Sequence, residues 1–145
     1  MEVYTTGFTK KTAAEFFGAL KRAEIQRLVD VRLHNSSQLA GFTKKEDLSF
    51  FLMEICCIEY LHEPLLAPTQ DMFDAYKKQK GSWQDYEQRF LALMNERKIE
   101  ENIDRKLFEI STVLLCSEAS AAHCHRRLVL AYLQAKWGNL EIIHL

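Results

Sequence analysis

The chain is poor in residues that break regular structure, with two prolines and five glycines in 145 residues. That scarcity excludes linker-dominated and collagen-like architectures, and neither an internal repeat nor a low-complexity tract is visible. It also lacks an excess of either charge: 19 Lys and Arg stand against 20 Asp and Glu, for a formal net charge of -1. Such a balance gives no bulk attraction toward nucleic acid or anionic membrane, so any polyanion would have to be met by a local basic patch. No apolar run is long enough to cross a bilayer, which predicts no membrane partner. Met1 leads directly into "EVYTTG" with no basic segment ahead of an apolar one, so no signal peptide is expected. Cysteine is scarce too, four residues, and not at disulfide-framework spacing. Cys56 and Cys57 are adjacent, an awkward geometry for a mutual bridge, while Cys116 and Cys124 lie in a mixed polar setting. The expectation is a cytoplasmic protein with four reduced thiols.

What is present is core material, 48% hydrophobic and 27% charged, which fits a single domain spanning residues 1–145. "VYTTG" reads as a strand stopped by Gly7. "TAAE" then forms a capping box, Thr12 accepting from the Glu15 amide, and opens a helix from about Ala13 to Ala23 that buries Phe16 and Leu20. "RLVDVR" is a continuous apolar run that turns polar at its end, as in a strand covered on both faces. "TKKE" repeats the capping-box pattern at Thr43 and Glu46 before Leu48, Phe51, Leu52 and Ile55, which fall on one helical face. "IEYLHEPLLAP" reads as a third strand entering a loop. Residues Asp71 to Asn95 are two helices split at Gly81 and Ser82, the second carrying Tyr86, Phe90, Leu93 and Met94 on one side; a short helix follows between Glu101 and Glu109. "STVLLCSE" is the fourth strand. A helix from about Ala121 to Trp137 comes next, with Leu128, Ala131, Tyr132 and Ala135 as its apolar stripe and Gly138 as its stop, and "LEIIHL" closes as a fifth strand. The alternation predicts an α/β fold: a single three-layer domain with a mainly parallel sheet of about five strands and helices on both faces.

In such sheets ligands bind outside the carboxyl ends of the strands. The candidates are therefore Thr6 and Gly7 after the first strand, Asp30, Arg32 and His34 around the second, His62 after the third, and Cys116, Ser117 and Glu118 after the fourth. His123, Cys124, His125 and Arg126 are expected in the first turn of the helix that follows.

The blocks "YTTGFT", "LVDVR", "IEYLHEPLL", "LLCSE", "CHRRL" and "IIHL" together resemble the domain-of-unknown-function family 488 over nearly the whole chain. The resemblance implies a small α/β domain with Cys and His near one cleft and no established substrate. The matching positions are Gly7, Asp30, Arg32, Tyr60, His62, Cys116, Glu118, Cys124, His125 and Arg126. Where that family often carries a Pro- and Arg-rich loop, this chain has "LHNSSQLAGF" without Lys or Arg, which weighs against strong polyanion binding there. The second strand and the Cys ending the fourth also look somewhat like the rhodanese layout. However, "CSEASAAHCHR" has no glycine to build an anion nest, and it sets an acid two residues from the thiol, which raises rather than lowers a thiol pKa.

Each candidate has an ordinary structural reading beside its functional one. Cys116 is a small buried thiol, or a thiolate stabilised by the helix N-terminus and by His123, His125 or Arg126. Asp30 and Arg32 are a structural ion pair, or Arg32 joins Arg126 in an anion clamp. Glu118 is a loop acid or an acid-base group, and His62 a loop histidine bonded to backbone. A metal held by Cys116, Cys124 and His125 would lack the C-x-x-C knuckle and require His34 or His62 as a further ligand, so neither metal nor cofactor is assigned. Phe16, Phe51, Phe73, Tyr76, Tyr86 and Phe90 read as core, with no stacking platform. Two functional expectations result. The favoured one is an enzyme acting on a small anionic substrate, a nucleotide or phosphorylated metabolite, with Arg32 and Arg126 holding the anion and Cys116, Glu118 or His125 doing the chemistry. The other is a non-catalytic module binding nucleic acid or protein, which near-neutral charge disfavours for nucleic acid.

Overall fold

β1 (Glu2–Gly7), β2 (Arg27–Asp30), β3 (Glu59–His62), β4 (Thr112–Cys116) and β5 (Glu141–His144) pair in the order β3-β2-β4-β1-β5, every pair parallel. This is a computed structural model, and it describes residues 1–118 and 120–145. The helices are α1 (Ala13–Arg22), α2 (Lys45–Phe51), α3 (Gln70–Lys77), α4 (Trp83–Glu96), the short α5 (Ile99–Asn102) and α6 (His125–Trp137).

The strand order explains why helices cover both faces. From β1 to β3 the chain steps toward one edge of the sheet; from β3 to β5 it steps back the other way. Right-handed crossovers then place α1 and α2 on one face and α3 to α6 on the other. The packing agrees. Phe16, Phe17 and Leu20 of α1 join Leu48 of α2 against Leu28, Val113 and Leu115. Met72, Tyr86, Phe90, Met94, Leu128, Val129 and Leu133 pack against Val29, Val31 and Leu114 on the opposite side. Neighbouring residues of β4 thus alternate between the two cores, as the pleat requires. Cys116 falls on the α3–α6 side.

Because β4 hands over to α6 on one face while both of its neighbours, β1 and β2, hand over on the other, a crevice opens at the carboxyl end of β4. Three caps fix the helices that surround it. Thr69 Oγ1 accepts from the Met72 amide at 3.2 Å, Ser82 Oγ from the Asp85 amide at 3.1 Å, and Thr12 Oγ1 from the Glu15 amide at 3.1 Å.

Four details depart from the sequence reading. Thr43 is not the cap of α2; Lys44 holds that position without a side-chain bond, because the Thr43 hydroxyl donates to the Ala40 carbonyl and takes a bond from Arg32. Ile55 is exposed, because α2 widens into a π-helical turn over Leu52–Cys56 and rotates it off the apolar face. α6 starts at His125 rather than Ala121, with Cys124 at its N-cap and His123 in the preceding turn. Finally, Ala135 of the expected stripe is exposed, while Arg126, Val129, Leu130 and Leu133 are buried: α6 lies deep enough that its apolar arc is wider than one stripe.

Candidate functional site

The carboxyl end of β4 delivers Cys116 to the bottom of a cavity of about 160 Å³. Cys124 and His125, at the start of α6, reach the same floor. All three are buried, and their ligating atoms lie within 4.8 Å of one another. His125 Nε2 sits 2.7 Å from the Val31 carbonyl. A carbonyl only accepts, so Nε2 carries the hydrogen, and in the neutral ring Nδ1 is a bare lone pair. Cys116 Sγ lies beside the ring, 3.6 Å from Nδ1 and 3.9 Å from Nε2. The thiol thus touches an imidazole whose Nε2 is held by a third group, and a turn of the ring would bring Nδ1 onto it as in an activated pair. Phe90 packs against the imidazole at 5.4 Å between ring centroids.

The electrostatics separate the two thiols. The Cys124 thiol, hydrogen-bonded toward Cys116, holds the Cys116 sulfur below the usual thiol value against the burial that would raise it. The Ser117 amide and the cations Arg126 and Arg32 act in the same direction. The same bond, followed by burial, pushes Cys124 well up, so Cys116 is the more readily ionised of the two sulfurs.

The walls of the cavity are aromatic. Phe73 and Tyr76 of α3 and Trp83 and Tyr86 of α4 line it, with His34 and His123. Trp83 stacks on His123 at 5.1 Å and 25° and on Tyr86 at 5.4 Å and 27°. The sequence reading placed Phe73, Tyr76 and Tyr86 in the core with no stacking platform; here they form the wall, and Trp83 was not singled out at all. Helical spacing explains the miss. An aromatic facing a core and one facing a cavity beside that core share the same periodicity. At the rim, Lys77 Nζ meets Glu118 Oε1 at 2.5 Å, both side chains less than half exposed.

Of the residues expected to converge, Arg32, Cys116, Glu118, Cys124 and His125 line the cavity. Gly7, Asp30, Tyr60, His62 and Arg126 do not, and each has a visible task nearby. Arg32 Nε and Nη2 fork onto Asp30 Oδ1 and Oδ2 at 2.8 and 2.9 Å, and Nη2 and Nη1 reach the Thr43 carbonyl and hydroxyl at 2.7 and 3.3 Å. Tyr60 donates to Asp30 Oδ2 at 2.6 Å, with Asn35 at 3.4 Å. Asp30 and Arg32 are 0% and 2% exposed. Burial would raise the Asp30 pKa, but the Arg32 fork and the Tyr60 hydroxyl outweigh it and hold the carboxyl below the ordinary range. The ion-pair reading of these residues fits the geometry, and most of the Arg32 guanidinium is engaged by protein. His62 Nε2 bonds the Arg32 carbonyl at 3.1 Å, and His34 Nε2 bonds Gln70 Oε1 at 2.8 Å.

Arg126 is fully buried and donates to the Glu118 carbonyl at 2.5 Å. It is therefore placed to shape the loop after β4, and it stands behind the cavity rather than beside Arg32 within it. Gly7 belongs to the same joint. A Cβ there would lie 1.6 Å from the Glu118 carbonyl oxygen, so only glycine lets the two loops meet. Thr9 closes the joint, its amide and hydroxyl both donating to the Ser117 carbonyl, at 3.1 and 2.5 Å.

A parallel α/β domain with a thiol–imidazole floor beneath the crevice of its central strand is the class that the fold and site define. The family described as "Domain of unknown function DUF488" matches residues 12–133, and the chain belongs to it. No curated protein and no solved structure was found to match. The four cysteines are unbridged, and among the described residues no helix is long and apolar enough to cross a membrane.

Proposed function

We propose that this protein is an enzyme acting on a small, ring-bearing anion of the nucleotide kind, with the ring inside the cavity and the reacting atom over Cys116 and His125. One observation carries the reading: a buried thiol–imidazole pair opens into a cavity walled by Phe73, Tyr76, Trp83 and Tyr86. Aromatic walls favour a flat ring, and each stacking contact with a base contributes about 1–3 kcal/mol. A volume of about 160 Å³ is ample for one such ring. The anionic part would then lie toward the rim, near Lys77 and the Arg32 edge. Because Glu118 and Asp30 offset those two cations, a single anionic group suits the site better than a polyphosphate. Cys116 would supply the sulfur, His125 Nδ1 would take or return a proton, and Glu118 would assist as an acid-base group at the mouth.

The chain has two tryptophans, and Trp137 lies elsewhere, beside Phe108 and Arg105. A Trp137→Phe variant therefore makes Trp83 the sole reporter. Titration with nucleobases, nucleoside monophosphates and ribose phosphate should quench its emission only for the ring-bearing compounds, and Trp83→Leu, read by thermal shift, should weaken them about tenfold. Any compound that binds is then followed for turnover, which Cys116→Ser should abolish. If no ring-bearing anion alters the emission or the melting temperature, the reading fails. Binding without turnover of any ligand would make the domain a binding module instead.

A further inference from the structure

We propose that Cys116 Sγ, Cys124 Sγ and His125 Nδ1 together hold a zinc ion at the floor of the cavity, with its fourth coordination position open to the ligand. The proposal deepens the enzyme reading, and as a catalytic centre it rests on that reading: it turns Cys116 from an attacking group into a ligand.

Four features of the floor support it. First, zinc–sulfur and zinc–nitrogen bonds of about 2.3 and 2.05 Å at a tetrahedral angle set sulfur and nitrogen about 3.6 Å apart. Cys116 Sγ and His125 Nδ1 are 3.6 Å apart already, and the ligating atoms of all three residues lie within 4.8 Å of one another, so closing the set needs a shift of about 1 Å and a turn of the imidazole toward the metal. Second, metal-bound histidine generally donates its other ring nitrogen to a carbonyl or carboxylate, which fixes the tautomer. The Nε2 bond to Val31 does this and leaves Nδ1 as the nitrogen that can ligate. Third, charge balances. Two thiolates cancel a divalent cation, so the loaded site is neutral, as burial of all three ligands demands. Fourth, two thiolates and an imidazole are a soft set that suits zinc over magnesium or calcium. Among the described residues, no other group of three or more His, Cys, Asp or Glu gathers in this way.

The spacing also says which kind of site this is. Structural zinc sites are closed by four protein ligands; catalytic ones use three and leave a position for water or substrate. Here all three ligands line the cavity. His62 lies outside it and His34 is occupied by Gln70, so neither histidine closes the shell. The absent C-x-x-C knuckle is no obstacle, because the ligands come from the end of β4 and the start of α6, which the fold brings together.

The test is cobalt substitution. Full-length protein is stripped with a chelator under a phosphine reductant and titrated with Co²⁺. The expected result is one equivalent bound, with a sulfur-to-cobalt charge-transfer band and intense tetrahedral d–d bands that one equivalent of Zn²⁺ abolishes. Cys116→Ser and Cys124→Ser should each lose the charge-transfer intensity and weaken binding at least tenfold, while Cys56→Ser with Cys57→Ser should change neither. Metal-free melting curves of all variants establish that each is folded. Absence of a tetrahedral spectrum in folded protein overturns the proposal, as does a spectrum that survives both Cys116→Ser and Cys124→Ser. The Trp83 titration is repeated on stripped and loaded protein. Ring binding with no cobalt spectrum removes the zinc site and leaves the enzyme reading, whereas a cobalt spectrum with no ring binding does the reverse.

Discussion

Two buried polar clusters lie within a few residues of each other at the carboxyl end of the sheet, and they are finished to different degrees. Around Asp30 the carboxylate is met by the Arg32 fork, Tyr60 and Asn35, and Arg32 in turn reaches Thr43. Around Cys116 the Ser117 amide and Cys124 bond the sulfur, but protein does not enclose the cluster. Cys116, Cys124 and His125 address one another and Val31, and then open into a cavity. A buried network enclosed by protein rigidifies a fold, while one that lines a cavity can also meet a ligand. The comparison gives the first cluster a structural task and, under the proposal above, leaves the second for function, although both comprise residues of chemically expressive types.

Breaking the finished cluster should have the largest effect. Asp30→Ala leaves the Arg32 guanidinium buried without its counter-charge, and urea unfolding should report a loss of about 3–5 kcal/mol. A much smaller loss would mean that the two clusters are not so different. Next comes the joint that ties the loops together. Gly7→Ala drives a Cβ into the Glu118 carbonyl, so the loop after β4 must shift, at a cost of about 1–3 kcal/mol measured the same way. It should also weaken ring binding, because Glu118 lines the cavity.

Acid sharpens the contrast from another side. The folded Asp30 pKa lies below the unfolded value of about 3.9, so the carboxylate favours the folded state above that pH, and its contribution fades as the pH falls through the folded value. Melting temperature followed from pH 5 downward should drop more steeply in the wild type than in Asp30→Asn, which has no proton to gain. Equal slopes would remove Asp30 from the acid response.

The cavity-lining cluster should scarcely register in stability. Cys116→Ser is close to isosteric, and metal-free protein should lose no more than about 1 kcal/mol while turnover disappears. The smallest effect belongs to the rim: Lys77→Gln breaks a half-exposed pair with Glu118 and should change stability by less than about 1 kcal/mol. Affinity for a ring-bearing monophosphate should nevertheless fall measurably in the fluorescence titration, while the free base is unaffected.

Much of this molecule is written locally. The alternation of apolar runs and capped helices, the parallel sheet and the placing of Cys116 at a strand end before a helix follow from patterns a few residues long. Strand-end logic alone brought Arg32, Cys116, Glu118, Cys124 and His125 to one place, because parallel strands deliver their carboxyl ends to the same edge. What the sequence could not decide depends on partners far apart along the chain. His125 acquires its tautomer from Val31, Arg32 is engaged by Thr43, and Trp83 stacks on His123. Whether Tyr76 and Tyr86 face a core or a cavity depends on how α3 and α4 lean over the end of β4, and helical periodicity is the same in both cases. Local propensity and spacing set the elements; only packing between distant elements settles which buried polar groups protein encloses and which line a cavity.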